Sequence, residues 1–419
     1  MPINNSVRKT LLGIREKAVT NLKDSVLPFW ARAWDHEQGG FFGRLDRVGN
    51  VIDPSEKLLI KQVRMLYSLS AAHRFGIADR GYLELAHRGF DYITETMWDN
   101  EEGGFYYSVN REGKPSSTRK NTDVHGYVLI GLGEYYLASQ RKETLEWGNR
   151  VFDVLAEKAK DGERGYREEF DDGKWPVLNS EQMNLGDRND IKTIDMHTNI
   201  LEGLIYLYRA SSDQNHRAAL EEVLRLIVDK GLHPEQCGIT AFDFDWNPVP
   251  DVDGRWTTSY GLNAELAWLL LAAVDVLHHP RESYRRAILG LIDHTLRCGF
   301  DQERGGVAAF GPLKGHVLHA EELPARRLLK SWWAQAEMLN ALAYAYEWTR
   351  EPGYLDALVK LFGWIWAYQI DHEYGDWYQD VYWDSGKPLT TEKGGEWKTA
   401  FHASRALIQT SQVIDRIVS

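Results

Sequence analysis

A short signal recurs six times along the 419 residues, roughly every 65 positions: an acidic or polar run, one or two glycines, then an apolar or aromatic stretch. Its copies run from Asp35 to Phe41, Asp99 to Phe105, Asp161 to Tyr166, His233 to Ile239, Asp301 to Val307 and Asp371 to Trp377. A repeat of this length marks one supersecondary unit used over and over, which constrains the fold more than any local propensity.

The segments between the turns show which unit it is. Residues 58–75, 124–138, 193–210, 260–277, 329–348 and 398–414 are long, apolar-rich and free of proline, too long for strands and without strict alternation, so they are expected to be six inner helices. Between them, residues 6–33, 80–97, 142–159, 214–231, 280–297 and 353–369 mix charge with apolar residues at three-to-four spacing. Leu220, Val223, Leu224 and Ile227 show the pattern, which predicts six outer, amphipathic helices. Neither end reads as a polar cap, so six helical hairpins are expected to close into an all-α (α/α)6 barrel rather than stack as an open solenoid. The unbroken periodicity makes residues 1–419 one expected domain, with no linker-like or low-complexity stretch.

Composition excludes several classes. A net charge of −12 offers no basic cluster for nucleic-acid phosphates. No apolar run has membrane-spanning length, and the first residues lack the pattern of a secretory leader. Two cysteines, Cys237 and Cys298, cannot build a disulfide framework, and the expected location is the reducing cytoplasm. No phosphate-cradling glycine loop and no metal-binding spacing stands out, so no metal and no cofactor is expected. Aromatic residues make up 12%, with 16 Trp. Indoles beside carboxylates suit a sugar site, although a twelve-helix core also needs large side chains.

In a ring of hairpins, the starts of the inner helices meet at one mouth. Those starts carry Lys61 and Arg64; Asp123 and His125; Asp195, His197 and Asn199; Tyr260, Asn263 and Glu265; Trp332, Trp333, Gln335 and Glu337; and Trp397, Lys398 and His402. Each alone could be a satisfied core group, His125 and His197 as hydrogen-bonded histidines and Arg64 or Glu337 in an ion pair. Together they predict a polar-lined cavity.

Phe29-Trp30 through Asp35, Gly39-Gly40-Phe41, Lys61-Gln62-Val63-Arg64, the block Ser331-Trp332-Trp333-Ala334-Gln335-Ala336-Glu337, and Glu396-Trp397-Lys398 to Phe401-His402 resemble the N-acylglucosamine 2-epimerase family, nearest its cellobiose and mannose 2-epimerase branch. The resemblance implies a barrel that interconverts C2 epimers, or aldose and ketose, at a free reducing end without metal or redox cofactor. It implies His402 as base, with Arg64 beside the sugar oxygens and Glu265 as a further catalytic group. Asp195, His197, Asn199, Tyr260, Trp268, Trp333, Glu337 and Trp397 are expected around the substrate, a mono- or disaccharide, in a monomer or homodimer. Two positions depart from the family's pattern: Leu262 and Asn199 stand where the resemblance leads one to expect histidines. His197, about 200° around the helix from residue 199, is not expected to point the same way. Two other readings therefore stay open. One is a glycoside hydrolase or lyase using paired carboxylates among Glu265, Glu337 and Asp195; the other is a sugar-binding protein without turnover.

Overall fold

The computed structural model describes residues 3–77, 81–170, 175, 191–250, 254–319 and 328–419. Its helices alternate as expected. The outer ones are α1 (Asn5–Asn21, continued by a π-helical segment Leu22–Val26 and by Leu27–Ala31), α3 (Tyr82–Thr96), α5 (Glu143–Val154), α7 (Gln214–Leu226), α9 (Arg285–Cys298) and α11 (Pro352–Trp364). The inner ones are α2 (Leu59–Arg74), α4 (Thr122–Ser139), α6 (Ile194–Ser211), α8 (Tyr260–Val276), α10 (Trp332–Thr349) and α12 (Phe401–Val418). Each inner helix packs on the next, α12 packs back on α2, and α1 lies against α12, which closes an (α/α)6 ring. In such a ring α6 stands opposite α12, and α2 opposite α8.

All six recurrent turns adopt one geometry. Each is a tight loop closed by a single antiparallel bridge, Trp34 to Phe41, Trp98 to Phe105, Lys160 to Tyr166, Leu232 to Gly238, Phe300 to Val307 and Ile370 to Trp377. In five of them the leading aspartate takes a buried lysine: Asp35 with Lys57 at 3.0 Å, Asp99 with Lys120 at 2.8 Å, Asp161 with Lys192 at 2.8 Å, Asp301 with Lys330 at 2.7 Å, and Asp371 with Lys393 at 3.0 Å. The fourth turn has lost both partners together, carrying His233 and Thr258 instead. Removing both members of a buried ion pair is tolerated far better than removing one.

Four of these lysines lie in two- or three-residue strands that run straight into an inner helix. Side-chain caps then set the entry angle: Asn121 accepts from the Val124 N–H at 2.8 Å, and Thr193 from the Met196 N–H at 3.2 Å. Inner helices α4 and α6 approach to backbone contact because Gly126 and Gly203 face one another; a Cβ on Gly126 would stand 3.0 Å from the Asn199 carbonyl. Three outer helices end in π-helical segments, Leu155–Ala159, Ile227–Gly231 and Ile365–Gln369, and the first passes through one at Leu22–Val26, a feature with no sequence signature in the repeat. Residues 243–247 form a hairpin turn on Asp243, which accepts from the Asp245 and Asn247 N–H groups, and do not line the cavity. No helix among the described residues is long and apolar enough to cross a membrane.

Candidate active site

Counting from the strand lysine puts the inner helices in register. Five residues on stand Gln62, His125, His197, Asn263 (counted from Thr258) and Gln335; seven residues on stand Arg64, Tyr127, Asn199, Glu265 and Glu337. Two helical residues subtend about 200°, so the two sets face opposite ways. The first set holds the turns. Gln62 accepts from the Phe41 N–H at 2.6 Å, Asn263 from the Gly238 N–H at 2.8 Å and Gln335 from the Val307 N–H at 2.8 Å.

His197 belongs to that structural set, which corrects its expected place at the sugar. Its Nδ1 is 2.8 Å from the Thr193 carbonyl and its Nε2 accepts from the Tyr166 N–H at 3.1 Å, so both ring nitrogens are spent. His125 repeats the arrangement with the Asn121 carbonyl and the Phe105 N–H. Burial pushes both imidazoles down to about 4, and they stay neutral.

Four of the second set, Arg64, Tyr127, Asn199 and Glu265, open onto a cavity of about 440 Å³ at the helix starts. Arg64, Asp195, Asn199, Glu265, Trp333, Trp397 and His402 line it as expected, joined by Asp123, Tyr127, Asp380 and Glu396. Trp333 and Phe310 meet edge-on at the mouth, their centroids 6.3 Å apart. Glu337 sits just behind His402, wholly buried. Two further expectations change. Tyr260 points away: its hydroxyl donates to the Pro312 carbonyl at 3.0 Å and its ring packs on Gly299 and Gly311, because it is the first residue of α8 and faces the strand hairpin. Trp268 lies one layer back, donating from Nε1 to Glu337 Oε2 at 2.9 Å.

Arg405 is the group the sequence reading missed. Its guanidinium, with no exposed surface, donates from Nη1 to both Glu202 oxygens at 2.5 Å, and from Nη2 to Glu337 Oε1 at 2.8 Å and to Glu265. Its one trace in the sequence is its place three positions after His402, hence on the same helical face. Three carboxylates around one guanidinium cannot all ionise cheaply, and burial raises the pKa of each, Glu202 to about 7.

His402 Nδ1 stands 2.7 Å from Glu337 Oε1. A carboxylate at that distance fixes the proton on Nδ1 and leaves Nε2 as an acceptor for the cavity. Burial and the Arg64 guanidinium hold the imidazole well below its usual pKa, so it is neutral. Arg64 donates to the Trp397 carbonyl and lies 4.2 Å over the Tyr127 ring. On the wall facing His402, burial and the charges of Asp123 and Glu265 raise Asp195 to about 8. Donor atoms of Glu265, Glu337 and His402 lie within 4.8 Å of one another, a spacing that could suit a cation. Arg405 already supplies the positive charge to both carboxylates.

Residues 40–406 match the family N-acylglucosamine 2-epimerase (GlcNAc 2-epimerase). The chain belongs to that family. Among its relatives, cellobiose 2-epimerase of Ruminococcus albus is 28% identical over 391 residues, 93% of this chain and 96% of the relative. The D-mannose isomerase of Marinomonas mediterranea is 20% identical over 90% of this chain and 92% of its own. The solved structure of cellobiose 2-epimerase from Spirochaeta thermophila superposes with a TM-score of 0.87 at 29% identity, covering 99% of this chain and all of the other. The family's members named here are sugar epimerases and isomerases, and this chain is one of that class.

Proposed function

We propose that this protein epimerises or isomerises a reducing-end sugar, a free aldose or a disaccharide such as cellobiose, by moving the proton beside the carbonyl, with His402 as the base. The observation that carries the reading is the Glu337–His402–Arg405 cluster: a cavity-lining imidazole whose Nδ1 is held at 2.7 Å by a carboxylate that Arg405 itself anchors, beside a cavity of sugar size.

Chemistry at this site starts from the open-chain aldose. His402 Nε2 takes the C2 proton, the C–H electron pair becomes the C1=C2 bond, and O1 takes up negative charge. Arg64, at the cavity wall, is placed to stabilise that oxygen. Glu337 holds the imidazolium that forms; protonation of C2 on the opposite face re-forms the carbonyl and gives the 2-epimer, while protonation of C1, with the O2 proton passing to O1, gives the ketose. Trp333 and Trp397 offer ring faces at the mouth for the sugar or for a second sugar unit.

A carboxylate-pair hydrolase fits less well. The Glu265 and Glu337 oxygens converge within 4.8 Å on Arg405, closer than the roughly 6.5–9.5 Å of an inverting pair, and a retaining pair is disfavoured because both are ion-paired to that guanidinium and Glu337 does not reach the cavity. All lining residues come from one chain of one proposed domain, so monomer and homodimer are both compatible with the site. Two buried, unpaired cysteines suit a reducing cytoplasm.

Incubation with glucose, mannose, fructose, cellobiose and mannobiose in D2O, followed by NMR, tests the reading. Deuterium at C2 or C1 of one reducing sugar is the expected result; hydrolysis of a disaccharide without exchange would contradict it.

A further inference from the structure

Opposite His402 the cavity wall carries a second group able to move a proton. Asp123 on α4 and Asp195 on α6 both line the cavity, brought together where Gly126 and Gly203 let the two helices touch. Asn199, one helical turn beyond Asp195, bridges them: its Nδ2 donates to Asp123 Oδ1 at 2.7 Å and only weakly to Asp195 Oδ1 at 3.4 Å. Among the described residues the Asn199 Oδ1 has no partner, though the side chain is 2% exposed and lines the cavity. That carbonyl is an unspent acceptor in the polar wall, suited to a sugar hydroxyl or to the proton of a neighbouring acid.

The unequal bridge divides the labour. Asp123 is buried and Asp195 half-buried beside it, so the pair does not carry two charges cheaply, and the shorter amide bond to Asp123 favours the charge there, leaving the proton on Asp195. Other groups around the cavity are spoken for: Asp380, the remaining lining carboxyl, is hydrogen-bonded by the Ser331 and Gln379 side chains. Glu265 is tied to Arg405, the Tyr127 phenol is pushed up by burial, and Glu396 accepts from the Tyr107 hydroxyl at 2.8 Å. Leu262 has no proton to give. Because α6 and α12 stand across the ring from one another, Asp195 and His402 reach the cavity from opposite walls, the placement needed to address the two faces of one carbon.

Building on the sugar-epimerase reading, we propose that Asp195, positioned by Asp123 and Asn199, is the second acid–base group, so that the C2 proton leaves on one face and returns on the other. In one direction His402 Nε2 accepts the proton from C2, the C–H pair forms C1=C2, and the carbonyl π pair moves to O1. Asp195 then gives its carboxyl proton to the opposite face of C2 while the O1 lone pair re-forms the carbonyl. The product is the 2-epimer, with His402 protonated and Asp195 ionised. Exchange with water resets both, and the reverse reaction starts from that charged state. With proton transfer divided between two faces, C2 inversion is the favoured outcome over ketose formation.

The test follows solvent deuterium wash-in at C2, by NMR, from cellobiose and separately from its 2-epimer, with wild type, Asp195→Asn and His402→Asn. Each variant is expected to lose epimer formation by at least ~100-fold. Each is also expected to keep exchange from one of the two sugars, and the sugar kept by one variant is the sugar lost by the other. Retained exchange from one sugar also shows that the variant folded. Three results would overturn the proposal: Asp195→Asn epimerising at the wild-type rate, both variants losing exchange from the same sugar, or Asp195→Asn losing exchange from both with an unchanged circular dichroism spectrum. Absence of exchange in wild type with both sugars would instead overturn the sugar-epimerase reading on which the proposal rests.

Discussion

Glu337 Oε1 lies 2.7 Å from His402 Nδ1 and 2.8 Å from Arg405 Nη2, so one buried oxygen both orients the imidazole and is itself held in place. The Trp268 indole fixes the other oxygen of the same carboxylate. Such a chain leaves His402 little freedom except to offer Nε2 to the cavity, the preorganisation that proton transfer needs.

Glu337→Gln is expected to lower kcat by about 10- to 1000-fold with KM changed little. An amide has the wrong charge to stabilise an imidazolium and can enforce the other tautomer. Steady-state kinetics on the responsive sugar, with thermal melting as a fold control, provides the check. An unchanged kcat would remove Glu337 from the account.

Arg405→Met is expected to destabilise the fold by about 3–5 kcal/mol, because it strands three buried carboxylates without their shared cation. Urea unfolding at pH 7 measures it.

Asp195 is raised in the folded state from 3.8 to about 8, so between those values the native chain holds a proton that the unfolded chain has released. Its contribution to stability is therefore complete below about pH 4 and is lost as pH rises toward 8. Replacing it with Asn removes that slope. Relative to wild type, Asp195→Asn is expected to gain stability between pH 5 and pH 8.5 in urea unfolding; a constant difference would contradict the raised carboxyl.

The turn staples make a separate forecast. Lys120→Thr leaves Asp99 buried beside no cation and is expected to cost about 3–5 kcal/mol. Adding Asp99→His copies the natural fourth turn, His233 with Thr258, and should recover at least ~1 kcal/mol of that loss. A double variant no more stable than the single would show that the fourth turn is compensated elsewhere.

Periodicity made the barrel legible, since each turn and each apolar helix repeats in the same order, and the ring closes where α12 packs on α2. The cavity wall was partly legible as well: Arg64, Glu265, Trp333 and His402 stand out as polar or bulky groups in apolar helices. Periodicity misled where two faces of one helix both carry polar residues. His197 and Asn199 point different ways by helix geometry alone, but only the five- and seven-residue offsets from Lys192 show that His197 holds a turn and Asn199 faces the cavity. Tyr260 was misplaced for the same reason, and Trp268 sits one layer further out than expected. Arg405 was passed over because a core arginine is visible as such only once its three glutamates, from three other helices, are brought to it.

Interconversion of cellobiose and its 2-epimer, followed by NMR for wild type and His402→Asn, tests the central claim most directly. The account predicts measurable interconversion by wild type and a loss of at least ~100-fold in the variant, in both directions. Interconversion by His402→Asn within tenfold of wild type would contradict it.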